Sequence, residues 1–152
     1  MALQAFPVAA VIERLRSRVP ALRAVDGAAG LDAAERAKPD RFPAAFVIAN
    51  EKGNAPHGYS GGVLAQKVEA TVVVVLFVEH AAKAGNGSKA QEALDALRGA
   101  VRDALVNWRP MTTPGATALH FVASDGESFS AGALVGQEAY AMTHTQTRGS
   151  NP

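Results

Sequence analysis

The sequence predicts an α+β protein: a mainly antiparallel sheet, two main helices packed on one of its faces, and a projecting β-hairpin arm. Three observations lead there. Apolar residues recur at helical spacing near the start of the chain and again after residue 88. Between them, the stretch over residues 63–80 alternates for far longer than an ordinary strand. The chain then closes on strand patterns separated by turn signals, which pair as hairpins.

The elements follow in order. Pro7 suits the first turn of a helix, where its missing N–H costs little. Val8, Val11, Ile12, Leu15 and Val19 form one stripe, Arg14, Arg16 and Arg18 fall mostly off it, and Pro20 ends the helix. Residues 21–25 predict a short strand, broken by DGAAG. LDAAERAKP is long enough for one or two helical turns before Pro39. FPAAFVIANEK predicts a strand over residues 44–50, and EKGNAPHGYSGG a polar loop over residues 51–62.

In VLAQKVEATVVVVLFVEH, the even-numbered residues 64–78 share one face, which is nearly all apolar. The odd-numbered face is polar through Thr71 and apolar from Val73 to Phe77. Such a strand spans roughly 50 Å, where five or six residues are usual. Its second half is therefore expected inside the core. Its first half is expected in an arm that leaves the core, with residues 51–62 as the tip.

AAKAGNGS reads as a loop. Ser88 then caps a helix, with Gln91 placed to complete a capping box. Ala90, Leu94, Leu97, Val101, Leu105 and Trp108 form its stripe, and Asn107 and Pro110 end it. TTPGA turns the chain, TALHFVAS is a strand, and Asp125-Gly126 is a hairpin signal. A short strand over residues 128–130 and a last one in GALVGQEAYAMTHTQT follow. The last strand places Leu134, Tyr140 and Met142 on one face and Val135, Ala139 and Ala141 on the other. Residues 148–152, RGSNP, read as a frayed tail.

Composition bounds the function. A chain of 152 residues predicts one domain spanning residues 1–152. A hydrophobic content of 48% argues against global disorder. Fifteen Lys and Arg against fourteen Asp and Glu leave a net charge of +1, without the basic excess of a dedicated nucleic-acid binder. The chain has no cysteine, which excludes a disulfide framework, a thiolate nucleophile and a Cys-based zinc site. The longest apolar run, ATVVVVLFV, has about half the length of a membrane helix. No basic segment precedes the apolar start of the chain, so it is expected to be soluble and not exported.

The motifs that invite a catalytic reading lack their context. Gly58-Tyr59-Ser60-Gly61-Gly62 fits the G-x-S-x-G nucleophile elbow, with His57 three residues before the serine. An elbow serine sits between a buried strand and a helix, whereas Ser60 sits between a polar loop and a long strand. The letters also fit the G-x-S-G-G of trypsin-like proteases, whose two β-barrels need more chain than this. Glycines at a hairpin tip account for the same letters. A small serine hydrolase using Ser60 is kept as the minor alternative. In GNGSK, Ser88 stands where a phosphate loop needs its lysine, so the stretch reads as a loop with a helix cap. His57, His80, His120 and His144 show no metal-ligand spacing, and Asp125 with Glu127 reads as a solvated turn. No catalytic, cofactor-binding or metal residue is assigned. No cofactor is expected.

Architecture carries more. LDALRGAVRDALVNWRP, ATALHFVASDG and GALVGQEAYAMTH together resemble the tail terminator proteins of long-tailed bacteriophages. In that family an amphipathic helix ends in a Trp-x-Pro turn, here Trp108 and Pro110. A hairpin follows, and the last strand carries Gln-Glu and an aromatic residue, here Gln137, Glu138 and Tyr140. VIERLRSRVP, FPAAFVIAN and the long strand agree in order. The resemblance implies a virion structural protein without enzymatic activity. It implies a ring, usually a homohexamer, that caps the finished tail tube, ends its polymerisation and offers a surface to the head connector. DNA would pass through the lumen without specific binding, and no membrane is involved. The protein would be assembled in the host cytoplasm and end at the head–tail junction. A head-completion or connector protein of that junction is the alternative. The arm adds candidate interface residues of its own: Lys52, His57 and Tyr59 at its tip, and Lys67 and Glu69 on the polar face of the long strand.

Overall fold

The computed structural model describes residues 3–60, 62–80, 88–130 and 132–149. Along the chain run helix α1 (Val8–Arg18), strand β1 (Ala24–Asp26), helix α2 (Ala28–Arg36), strands β2 (Ala44–Gly53), β3 (His57–Ser60) and β4 (Val63–Glu79), helix α3 (Ser88–Leu105), and strands β5 (His120–Ser130) and β6 (Ala133–Gly149). The strands form one sheet in the order β1-β2-β4-β6-β5, with β3 pairing the beginning of β4. The β1–β2 pair is parallel and the other pairs are antiparallel, so the α+β expectation holds.

The two faces of β4 sort as their letters dictate. Val72, Val74 and Leu76 are fully buried in a cluster with Val11 and Leu15 of α1 and with Leu94, Leu97 and Val101 of α3. Both main helices thus cover one face. Each such side chain contributes about 1.5–3 kcal/mol by leaving water. Arg14 ties the two helices together: its Nε donates to the Ala104 carbonyl at 2.9 Å, and its guanidinium lies 5.1 Å from the centre of the half-buried Trp108 ring. Asn107, in the left-handed conformation at φ 64°, ends this helical segment, and its N–H donates to the Leu119 carbonyl.

The opposite face carries a second, smaller cluster. Phe46 and Phe77 meet edge to face with centroids 5.4 Å apart, and Ala34 of α2 is buried with them. α2 is longer than its sequence predicts and begins inside DGAAG, where a break is expected. Gly27 donates its N–H to Asp26 Oδ1 at 2.8 Å, which turns the chain out of β1. A Cβ at Gly30 would meet the Asp26 side chain at 2.8 Å, so the glycine lets the helix lie against that carboxylate.

Three further expectations change. Of the stretch 51–62, residues 51–53 extend β2, opposite residues 68–70 of β4. His57 and Ser60 of β3 pair with Ala65 and Val63. Pro56, which has no N–H to donate, falls where the ladder breaks. The tip is thus shorter than its composition implies, with Gly62 at φ 80°. Next, Asp125-Gly126 is not a turn. β5 runs through it, with Asp125 opposite Gln137 and Ser128 opposite Val135, and the extra residue is absorbed as a bulge. The turn to β6 falls at Gly132, φ 78°. Last, β6 does not fray at residue 148. Arg148 and Gly149 pair with Leu64 and Val63, so β6 accompanies β4 over the whole of its length. The first half of β4 therefore lies between β3 with the end of β2 on one side and the end of β6 on the other. Where the sequence predicts a two-stranded hairpin, the first half of β4 is paired on both sides.

Candidate interaction surface

Side chains of the sheet that point away from α1 and α3 are covered at one end by α2 and uncovered at the other. Lys52 and Glu69 stand directly opposite each other on β2 and β4, Lys67 stands opposite Thr145 on β6, and all four are exposed on this helix-free face. Three of the expected interface residues are thus brought together. The backbone of His57 pairs with Ala65, and Tyr59 lies within β3.

Ser60 sits in β3, which turns at Gly62 directly into β4. The strand-to-helix turn of a nucleophile elbow is not built around it. Replacing Ser60 with Ala is expected to leave melting temperature and assembly unchanged. A large loss of infectivity from that one hydroxyl would contradict this. Gly85, Asn86 and Gly87 of the phosphate-loop look-alike lie outside the described residues. Among the described residues no group of three or more His, Cys, Asp or Glu is placed to hold a metal. Glu127 is not a free turn carboxylate. Its Oε1 accepts hydrogen bonds from Gln91 Nε2 at 2.7 Å and Arg98 Nη1 at 2.9 Å. Gln91 also donates to Asp95, so its amide N–H groups serve carboxylates on α3 and β5. His80 packs its ring against Phe129, centroids 4.8 Å apart.

Among the described residues no strand pairs with the outer side of β1 or of β5, and these two edges differ. β5 exposes Phe121, Val122 and Phe129, the last at 64%. β1, at the other edge, borders a cleft of about 650 Å³. Val25 and Phe46 lie in that cleft, and Arg16, Arg23, Lys38 and Arg41 line it together with Asp26 and Asp40.

Two polar clusters, each built on one buried residue, have no catalytic motif to announce them. Glu138 of β6 is completely buried, and Arg102 of α3 donates to it from Nε at 2.8 Å and from Nη2 at 3.2 Å. The Arg102 guanidinium lies 4.2 Å from the centre of the Phe121 ring. The hydrogen bonds it donates to Glu138 hold that guanidinium above its ordinary pKa. The signal was present in the sequence: Glu138 has the same strand parity as Leu134, Tyr140 and Met142, the core-facing positions. In the second cluster Glu51 Oε1 accepts from the Phe6 backbone N–H at 2.9 Å and lies 3.1 Å from Nε2 of His144, which is buried. This pair fastens the segment ahead of α1 to β2 and β6.

Tyr140 is fully buried, and its hydroxyl finds no well-formed hydrogen bond among the described residues. Burial pushes its pKa far up, the Glu138 charge adds to the rise, and Arg102 pulls it back in part. The folded state therefore holds this proton more tightly than the unfolded chain. Stability from it is complete below the ordinary tyrosine pKa of about 10 and falls as pH rises above that value. Tyr140→Phe is expected to change stability at pH 7 by less than about 1 kcal/mol and to reduce the loss above pH 10. Equal alkaline loss in both proteins, followed by denaturant titration, would show that Tyr140 is not its source.

The phage tail terminator protein family model matches residues 1–151 of the chain. No curated protein matches it. Among the described residues no helix is long and apolar enough to cross a membrane.

Proposed function

We propose, from the premise that the chain belongs to the phage tail terminator family, that it forms a homo-oligomeric ring, a hexamer, which caps the tail tube. In that role it ends tube polymerisation and presents the surface to which the head connector is joined. The family match over residues 1–151 is the observation that carries the reading. Three properties of the chain support it. Both sheet edges are unpaired among the described residues, and open edges are costly for a protein that stays alone. The helix-free sheet face around Lys52, Lys67 and Glu69 offers a polar docking surface, with His57 and Tyr59 on the adjoining β3. A net charge of +1 suits a lumen through which DNA slides without sticking. The protein works in the virion at the head–tail junction after assembly in the host cytoplasm.

The test is a mixing assay. Purified protein added to polymerising tube protein is expected to stop growth at sub-stoichiometric amounts and to appear as a ring at the tube end. Tube growth that continues unchanged, with the chain bound instead to the head connector, would assign it to the connector side of the junction. A protein monomeric both in solution and on purified tails would overturn the ring.

A further inference from the structure

We infer that the ring closes head to tail through the two open sheet edges, the β5 edge of one copy seating in the cleft beside β1 of the next. This rests on the ring proposed above and adds its polarity and contacts. A ring needs two different complementary surfaces on each subunit, because a patch that matches itself closes a dimer. The two edges meet that requirement in charge and in shape. Along β5, the bulge places Asp125 on the helix-free face, opposite Gln137, and Phe129 on the helix-covered face, opposite Leu134, so the two flank the edge from its two sides. Asp125 is exposed, Phe129 is the most exposed large apolar side chain among those described, and Glu127 is partly exposed beside Arg98. No lysine or arginine interrupts β5. The cleft at the other edge has the opposite character: four cations, Arg16, Arg23, Lys38 and Arg41, stand against two carboxylates, and Phe46 and Val25 lie among them.

Each side explains an otherwise costly feature of the other. Phe129 in water is an unburied aromatic, and a cleft of about 650 Å³ is ample for it and the flanking backbone. Among the described residues Arg23, Lys38 and Arg41 form no ion pair, and the exposed carboxylate of Asp125 on the β5 edge supplies a counter-charge. The bulge between Asp125 and Ser128 bends β5 away from a flat ladder, which keeps two β5 edges from pairing with each other. The contact therefore joins unlike edges. It rests on charge at its rim and on one aromatic anchor at its centre, so it weakens as salt rises.

The chain contains no cysteine, so an introduced pair is read without background. The variant Ser128→Cys/Ala37→Cys, oxidised under assembly conditions, is expected to give covalent oligomers up to the full ring on a denaturing gel, while each single variant gives monomer. In a parallel arm, Lys38→Glu and Asp125→Lys should each weaken self-association on the order of tenfold. The double variant Lys38→Glu/Asp125→Lys should regain it, with thermal melts unchanged throughout. Wild-type rings, measured by mass, combined with an uncross-linked cysteine pair and no charge-swap rescue would overturn this edge pairing and leave the ring standing. Covalent dimers from a single-cysteine variant would show self-matching contacts and also overturn it. Wild-type protein that stays monomeric in solution and on tails overturns the ring, and the edge pairing with it.

Discussion

Replacing Arg102 with Met is expected to destabilise the protein by about 3–5 kcal/mol, the largest loss from any single side chain outside the aliphatic core. The reason is asymmetric. Glu138 has no exposure at all, whereas 40% of the Arg102 side chain still reaches water. The cost of desolvation sits on the carboxylate, and the guanidinium answers it with two hydrogen bonds. Removing the arginine leaves a buried carboxylate whose strongest partner is gone, and the buried Tyr140 hydroxyl forms no bond with it. It also removes the cation stacked on Phe121. The double variant Arg102→Met/Glu138→Leu should recover most of the loss, since a buried ion pair and well-packed apolar residues of similar size are often equally stable. Urea midpoints at constant slope measure both. A loss below about 1 kcal/mol for Arg102→Met would mean that water reaches Glu138 and that the pair is a surface one.

The second large effect is expected from Leu97→Ala, at about 2–5 kcal/mol. Leu97 is 4% exposed and belongs to the cluster in which α3 meets Val72, Val74 and Leu76 of β4. Truncation removes the transfer energy of the lost carbons and leaves a cavity. The surrounding sheet can fill little of it, because β4 is held on both sides by β2 and β6. Val106→Ala, one residue beyond the same helix, is the control. Val106 is 42% exposed, and its truncation should stay within about 0.5 kcal/mol. Similar losses at the two positions would place the helix stripe elsewhere than against the sheet.

Much of the candidate surface was legible in the letters, and the part that was not has an identifiable cause. Lys67 and Glu69 could be placed on an exposed face because polar residues on one strand parity mark water; Lys52, expected in the loop, joins that face only because β2 extends to Gly53. Arg102 and Glu138 could not be paired, because they lie 36 positions apart and each is ordinary among its own neighbours. The basic cleft has the same origin: Arg16 comes from α1, Arg23 from the residue before β1, and Lys38 and Arg41 from the loop after α2. The family resemblance, which rested on the order of packing patterns from the first helix to the last strand, agrees with the match over residues 1–151.

Periodicity determined on its own the long regular elements and which face of each is buried. The stripes of α1 and α3, the two faces of β4 and the two faces of β6 all follow from it. Those are properties of one segment against a generic apolar surface, and spacing alone encodes them. Tertiary structure decided which strand neighbours which, where each strand stops and which turn signals are used. β6 continues through Arg148 because β4 offers it a ladder partner as far as Val63. Asp125-Gly126 stays extended because the chain gains more by carrying β5 along β6 to Gly132 than by turning early. A backbone N–H or C=O is satisfied only by a partner. Where that partner comes from a distant part of the chain, the length of a strand belongs to the pair and not to either sequence.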